Sequence, residues 1–195
     1  MSKMAQIRKT AEKYFTDPVV TLLAKTSITP NVLTWIGFLI AVATALFAAY
    51  GNMIVAGLLI LFGGYFDMLD GSLARRTGRV TVFGEVLDST LDRLSEGAIL
   101  LGLLYWFAVD GSIIGIMLAG ITLLSSLVVS YIRAKAEIVR VECLKGFFTR
   151  PERVIVLAIG FLINQLEIAL GIIAFFSLFT VGQRLFHVWR QLKIN

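Results

Sequence analysis

The sequence predicts an all-α integral membrane protein with six transmembrane helices and an N-terminal interfacial amphipathic helix. Of its 195 residues, 57% are hydrophobic, whereas soluble domains are about 45–50% apolar. A transmembrane helix needs roughly 20 mostly apolar residues. The candidate spans are Val32–Tyr50, Met53–Arg75, Gly84–Ala108, Ile113–Ala136, Pro151–Asn164 and Ile168–His187. Because they leave little chain over, we expect a single membrane domain over 1–195, with the interfacial helix in 1–28 and the six-helix bundle in 29–195.

The N-terminal segment alternates apolar and charged residues at near-helical spacing. Its charged positions include Arg8, Lys9, Glu12 and Lys13. Its apolar positions are Ile7, Ala11, Tyr14, Phe15, Val19, Leu22 and Leu23. This pattern is typical of an amphipathic helix that lies in the membrane interface.

Basic residues occur at alternate connections between the candidate spans. Lys and Arg precede the first span, follow the second, lie between the fourth and fifth, and follow the sixth. The other connections, near Gly51, Asp110 and Gln165, carry neither. The positive-inside rule then predicts a multi-pass protein of the cell membrane with both termini and the second connection in the cytoplasm. This topology accounts for the net charge of +5, so no nucleic-acid partner is inferred.

Four aspartates interrupt the apolar pattern of the second and third spans. Asp67 and Asp70 lie about 60° apart on one helix, and Asp88 and Asp92 share a face of the next. The linker Arg76–Phe83 is short, so we expect these helices to be antiparallel neighbours whose aspartates face each other near the cytoplasmic surface. Charges at membrane depth are costly and indicate function. Carboxylates suit Mg²⁺ or Mn²⁺, and two such ions can hold a phosphoryl group during displacement.

Small residues lie beside these aspartates. Gly71, Ala74 and Gly84 leave space in which a nucleotide base and its sugar would fit. Arg75 would offer a planar fork to phosphate oxygens. Alternatively, the glycines serve only close helix packing, which is common in membranes. That alternative is weakened because the small residues bracket four aspartates.

The pattern D-x2-D-G-x2-A-R-x8-G-x3-D-x3-D resembles the signature of the CDP-alcohol phosphotransferase family. Its fixed positions are Asp67, Asp70, Gly71, Ala74, Arg75, Gly84, Asp88 and Asp92. Members of that family have six transmembrane helices after an interfacial helix, and they form homodimers. They transfer a phosphatidyl-type group from a CDP-linked lipid to an alcohol and release CMP. The resemblance therefore implies a divalent-metal-dependent phosphatidyltransferase that acts at the membrane as a homodimer.

The resemblance also implies roles for individual residues. Asp67, Asp70 and Asp88 would be the primary metal ligands, and Asp92 would complete the metal site and act as general base on the acceptor hydroxyl. The segment from Thr29 to Gly37 is similar to the start of the first transmembrane helix in the family. The implied CDP-binding residues are Asn31, Thr34, Asp70, Gly71, Ala74, Arg75 and Gly84. A purely structural reading also fits the start of this segment, since Thr29 suits a helix cap and Pro30 a first helical position.

The acceptor is predicted from basic residues in the C-terminal half. Lys135, Arg153 and Arg184 come from three different spans, and together they would suit a doubly charged phosphate. The segments SYIRAKAE, RPER and VGQR are similar to the inositol-phosphate-using branch of the family, which implies that these three residues hold that phosphate. The donor would be CDP-diacylglycerol or a CDP-linked archaeal lipid. The stretch 138–143 departs from the branch pattern, which leaves a phosphatidylglycerophosphate synthase that uses glycerol 3-phosphate as the nearest alternative.

A cation-binding transporter is a further alternative from a different functional class. It is disfavoured because the aspartates cluster at one membrane face and no polar trail leads from them to the other face. A purely structural membrane protein would not need four aspartates at membrane depth.

Overall fold

A computed structural model describes residues 16–141 and 146–194, which form seven α-helices and no strands. The helices are α1 (Asp17–Leu23), α2 (Pro30–Ala49), α3 (Met53–Thr77), α4 (Val82–Asp110), α5 (Ile113–Ile138), α6 (Arg150–Leu162) and α7 (Leu166–Ile194). The predicted all-α class is confirmed. Most of the predicted interfacial helix falls on residues 1–15, outside the described residues.

Each of the six predicted spans corresponds to one helix, from α2 to α7. Within the described residues, four helices are long and apolar enough to cross a membrane, namely α2, α3, α5 and α7. The first half of α4 carries several charged side chains. The 13 residues of α6 extend about 20 Å, whereas the hydrocarbon core is about 30 Å thick.

The order of helix packing places α2 at the centre of the N-terminal half. α2 packs along both α3 and α4, whereas α3 and α4 do not pack along each other. The prediction that α3 and α4 are direct neighbours is therefore wrong. One reason is the close approach of α4 to α2 at Gly102. A Cβ atom on Gly102 of α4 would lie 2.3 Å from the carbonyl oxygen of Ala45 in α2, so the two backbones are in contact there.

The main core contains side chains from all six helices α2 to α7. Its largest fully buried side chains include Leu100, Leu103, Phe107, Phe161 and Leu170. The outer helix surfaces instead carry large exposed apolar side chains, as expected where helices face lipid. A smaller cluster of Val20, Leu33, Leu69 and Leu73 attaches α1 to α2 and α3.

The turn between α3 and α4 brings both aspartate-bearing segments to one end of the bundle. Gly78 ends α3 with a positive φ of 65°, a backbone conformation that glycine adopts without steric cost. Thr81 then caps α4, its hydroxyl accepting a hydrogen bond from the backbone N–H of Gly84. Near this turn, α3 and α4 both pack along α2 and not along each other; we call the region between α3, α4 and the N-terminal half of α2 the cleft.

Candidate active site

Asp70 is the most buried of the four aspartates, at 4% exposure. Its Oδ2 atom accepts a hydrogen bond of 2.8 Å from the hydroxyl of Thr34. Thr34 lies on the second turn of α2, so the tertiary structure brings two predicted site residues from different helices into direct contact. This bond orients a carboxylate that would be costly to bury without a partner.

Asp67 and Asp92 are joined by Arg150, the first residue of α6. The two terminal nitrogens of Arg150 lie 2.8 Å from Asp67 Oδ2 and 2.8 Å from Asp92 Oδ1. A capping box between Thr149 and Glu152 starts α6 at this point, which sets the position of Arg150. The bridge connects α3 and α4 across the cleft.

Arg150 was not among the residues predicted for the site. It lies at the end of a predicted span, and basic residues at span ends usually determine membrane topology. The local signal was present in the RPER segment, because a capping box directs the first helical residues to a defined place. The local sequence does not show that Arg150 adjoins Asp67 and Asp92.

The four aspartates are close enough to influence each other electrostatically. Asp92 lies within reach of the charges of Asp67, Asp70 and Asp88, and Asp70 within reach of Asp67 and Asp88. An all-oxygen set of this kind fits Mg²⁺ or Mn²⁺. A Cβ atom on Gly37 would lie 3.0 Å from Asp67 Oδ1, so the glycine leaves room at that carboxylate. The residues present therefore fit the predicted metal.

The carboxylates are not already gathered around one point. Within residues 16–141 and 146–194, no three His, Cys, Asp or Glu side chains are arranged as a ready metal site. Thr34 and Arg150 hold three of the four predicted ligands instead. The predicted ligands are thus assembled at one end of the bundle, where three of them have protein partners.

The predicted CDP-binding residues come from three helices and border the same cleft. A Cβ atom on Gly84 would lie 3.4 Å from Asn31 Oδ1, which places the start of α4 beside the start of α2. On α3, a Cβ atom on Gly71 would lie 3.4 Å from a terminal nitrogen of Arg75. Arg75 also donates to Ser72, and Ala74 is half-buried one turn beyond Asp70.

The three predicted acceptor residues have different surroundings. Arg153 is buried, and it donates two hydrogen bonds, of 2.6 Å and 2.9 Å, to the carboxylate of Glu96. Arg184 is also buried and donates a 2.7 Å bond to the carbonyl oxygen of Val129. Lys135 is exposed, with its ammonium 5.6 Å from the ring centroid of Tyr131. Each basic group is held by a different partner.

A cavity of about 40 Å³ lies inside the bundle next to the aspartates. Asp67, Glu96, Arg150 and Arg153 form its charged part, and small or apolar side chains form the remainder. Of the three predicted acceptor residues, Arg153 lines it.

Glu96 is the second residue of this charged cluster that the sequence analysis missed. It continues the spacing of Asp88 and Asp92 by another four residues on α4, so it lies on the same helix face. That spacing was the available signal. Its two-point ion pair with Arg153, between α4 and α6, became visible only in the tertiary structure.

The CDP-alcohol phosphatidyltransferase family model matches residues 27–187. This range covers α2 to α6, most of α7 and the whole aspartate motif. The chain therefore belongs to the CDP-alcohol phosphatidyltransferase family, and the family predicted from the motif is confirmed. An enzyme of this class accounts for the buried carboxylates.

Two enzymes with related names resemble the chain over nearly its whole length. An archaetidylinositol phosphate synthase from Methanothermobacter thermautotrophicus is 38% identical over 185 residues, which are 92% of this chain and 91% of the relative. A phosphatidylinositol phosphate synthase from Mycobacterium tuberculosis is 36% identical over 200 aligned residues, covering 97% of this chain and 92% of the relative.

Solved structures of the Mycobacterium tuberculosis enzyme share this fold. The crystal structure with CDP-DAG bound superimposes with a TM-score of 0.83 at 36% identity, covering 90% of this chain and 94% of that one. The structure in complex with manganese and citrate gives a TM-score of 0.82, covering 90% and 89%. The fold described above is thus similar to that of a relative crystallised with a CDP-linked lipid and with a divalent metal.

Proposed function

We propose that this protein transfers a phosphatidyl-type group from a CDP-linked lipid to inositol phosphate and releases CMP. The observation that carries the proposal is the match to two relatives over more than nine tenths of the chain. Both relatives are named as synthases of a lipid that carries inositol phosphate. The intact aspartate motif at the cleft supports the chemistry. The donor is CDP-diacylglycerol or a CDP-linked archaeal lipid.

Asp67, Asp70, Asp88 and Asp92 hold the metal, which we propose to be two Mg²⁺ or Mn²⁺ ions. When bound, such ions supply charge stabilisation for a transferring phosphoryl group. Asp92 is also the general base. It takes the proton of the acceptor hydroxyl while that oxygen forms a bond to the lipid-side phosphorus, and the bond from this phosphorus to CMP breaks. Arg150 bonds to Oδ1 of Asp92, so it has to move if that oxygen takes the proton.

The nucleotide lies in the cleft between α3 and α4 in this proposal. Asn31 and Thr34 on α2 face it from one side, and Gly84 admits it at the start of α4. On α3, Asp70, Gly71, Ala74 and Arg75 complete the set. The contact of Gly84 with Asn31 and that of Thr34 with Asp70 support a shared site, because they join all three helices at this end.

Lys135, Arg153 and Arg184 bind the phosphate of the acceptor. Arg153 is suited to this because, among the described residues, its Nη1 atom is buried without a hydrogen-bond partner, and a buried unpaired donor is costly unless a ligand satisfies it. Lys135 is exposed and must approach from the rim of the cleft. Binding of a phosphate would then draw the three groups towards one ligand.

The chain forms one membrane domain in this proposal, with α2 to α7 as six membrane-embedded helices and the N-terminal amphipathic segment at the interface. The short α6 and the charged end of α4 lie next to the site. Both termini and the site face the cytoplasm, as the basic residues indicate. The protein functions as a homodimer in the cell membrane.

CMP release by the purified full-length protein tests the proposed function. With Mg²⁺, each of CDP-diacylglycerol and CDP-archaeol is offered with inositol phosphate, glycerol 3-phosphate, inositol or serine, and an Asp88→Asn variant is the inactive control. We expect CMP only with inositol phosphate, together with an inositol phospholipid product. Turnover with glycerol 3-phosphate alone would replace the acceptor and keep the class. Cation flux through vesicles without any CMP release would favour a transporter.

A further inference from the structure

We propose that Arg150 is a built-in counter-cation that competes with the divalent metal for Asp67 and Asp92. The inference rests on the proposed metal site. Its guanidinium lies 2.8 Å from a carboxylate oxygen of each aspartate. Those are two of the four predicted ligands, one from each helix that borders the cleft.

The metal-free aspartate cluster needs such a cation. Asp67, Asp70, Asp88 and Asp92 lie within electrostatic reach of one another in a largely buried region, and unscreened like charges repel strongly there. Thr34 gives Asp70 a neutral hydrogen bond but no positive charge. Arg93 acts on Asp88, whereas Arg150 brings positive charge to Asp67 and Asp92 together.

The guanidinium is held mainly by these two aspartates. Both terminal nitrogens are used on Asp67 and Asp92, whereas Nε, buried, has no hydrogen-bond partner among the described residues. The side chain is half-buried at the first position of α6, and its helix start is set independently by the capping box of Thr149 and Glu152. The side chain can therefore leave the carboxylates without unwinding α6.

Competition follows from the chemistry of the shared oxygens. A divalent cation that enters between Asp67 and Asp92 needs lone pairs that now accept from Arg150, and it meets the repulsion of a positive charge already present. Part of the metal-binding free energy is then spent on displacing the guanidinium. Removal of Arg150 is expected to tighten metal binding, whereas a residue that merely orients the ligands would weaken it when removed.

Mn²⁺ titration of the purified full-length protein, without substrate, distinguishes these cases. We expect Arg150→Gln to bind Mn²⁺ about tenfold more tightly than wild type, and Arg150→Lys to lie between them because one ammonium cannot bridge both carboxylates. Arg133→Gln is the matched control, since it removes an exposed arginine paired with Glu137 on α5 and should leave the affinity unchanged. Equal or weaker binding by Arg150→Gln would overturn the proposal.

Stability without metal provides a second measurement. In chelator, Arg150→Gln should lower the midpoint of thermal unfolding, and adding Asp92→Asn should restore part of the loss, because the neutral amide removes one of the repelling charges. Strictly additive losses would contradict the counter-cation role. If Arg150→Gln does not purify in folded form, the same two tests are applied to Arg150→Lys. If the wild type binds Mn²⁺ and releases CMP but the Arg150 variants bind Mn²⁺ no more tightly, this inference is refuted and the proposed function stands.

Discussion

Asp92 illustrates how one side chain serves two states of the site. In the structure it forms an ion pair with Arg150, and in the proposed reaction it accepts a proton from the acceptor hydroxyl. Both uses engage a carboxylate oxygen lone pair, so Oδ1 can take the proton only after the guanidinium has moved away from it.

The first prediction separates the base from the metal ligands. Asp92→Asn keeps the shape of the side chain and removes its basicity. We expect kcat to fall by about 100-fold or more, with a much smaller change in the affinity for the CDP-linked lipid, measured by steady-state kinetics and by binding of a CDP-lipid. A parallel loss of nucleotide affinity and rate would show that Asp92 acts chiefly through the metal or the substrate site.

The second prediction concerns Gly37, whose position on α2 leaves room for Asp67. Gly37→Ala would place a methyl group 3.0 Å from Asp67 Oδ1, so the carboxylate has to shift. Because misplacement of a site residue by a fraction of an ångström is costly, kcat/KM should fall by about tenfold to 100-fold. Gly64→Ala is the control, since its methyl group would make an ordinary contact at 3.9 Å with Val154. Equal activity of the two variants would contradict the prediction.

At the scale of the elements, α2 separates α3 from α4. It packs along α3 and α4 at the same time, and its close approach to α4 depends on Gly102, which admits the carbonyl oxygen of Ala45. Small residues allow such backbone contacts between membrane helices. The consequence is that α3 and α4, which carry the aspartates, pack along α2 rather than along each other.

The third prediction tests this contact. Gly102→Ala would put a Cβ atom 2.3 Å from the Ala45 carbonyl oxygen, a backbone atom that cannot rotate away. We expect a loss of about 1–3 kcal/mol in stability, seen as a lower midpoint of thermal unfolding in detergent. On the same helix, Gly97→Ala meets a flexible Leu123 side chain at 3.8 Å and should be nearly neutral. A stable Gly102→Ala variant would mean that α2 and α4 are less closely packed.

The ion pair of Glu96 with Arg153 is a second link between elements, from α4 to α6. Both groups are largely buried and bonded at two points, and removal of one partner from such a pair leaves an uncompensated charge. The pair orients Arg153 beside the aspartates. A test of Arg153 must therefore separate its structural role from the proposed binding of phosphate.

At the scale of the whole molecule, the proposed acceptor site draws on α5, α6 and α7 at once. The fourth prediction is that Lys135→Gln, Arg153→Gln and Arg184→Gln each raise the KM for inositol phosphate by about tenfold or more, with much less effect on the KM for the CDP-lipid. Steady-state kinetics with one substrate varied at a time gives both values.

Two comparisons make this fourth prediction specific. The double variant Glu96→Gln, Arg153→Gln should recover stability relative to Arg153→Gln, because no unpaired charge remains, yet keep the high acceptor KM. Arg133→Gln, which removes an exposed charge near Lys135 on α5, should leave both KM values unchanged. If the double variant recovered the acceptor KM together with the stability, Arg153 would be structural.

The sequence by itself determined the helical class, the approximate bounds of α2 to α7 and the family. Apolar runs identify membrane helices because each one interacts mainly with its own residues and with lipid. The aspartate motif was recognisable because Asp67 with Asp70, and Asp88 with Asp92, are spaced within single helices, where geometry follows directly from residue number.

Only the tertiary structure decided what lies between those helices. The insertion of α2 between α3 and α4, the bridge from Arg150 to Asp67 and Asp92, and the pairing of Arg153 with Glu96 join segments far apart in the chain. Spacing along one helix carries no information about which residue of another helix faces it. A basic residue at a span end looks the same in the sequence whether it faces lipid headgroups or a buried carboxylate, because the difference lies in its neighbours in space.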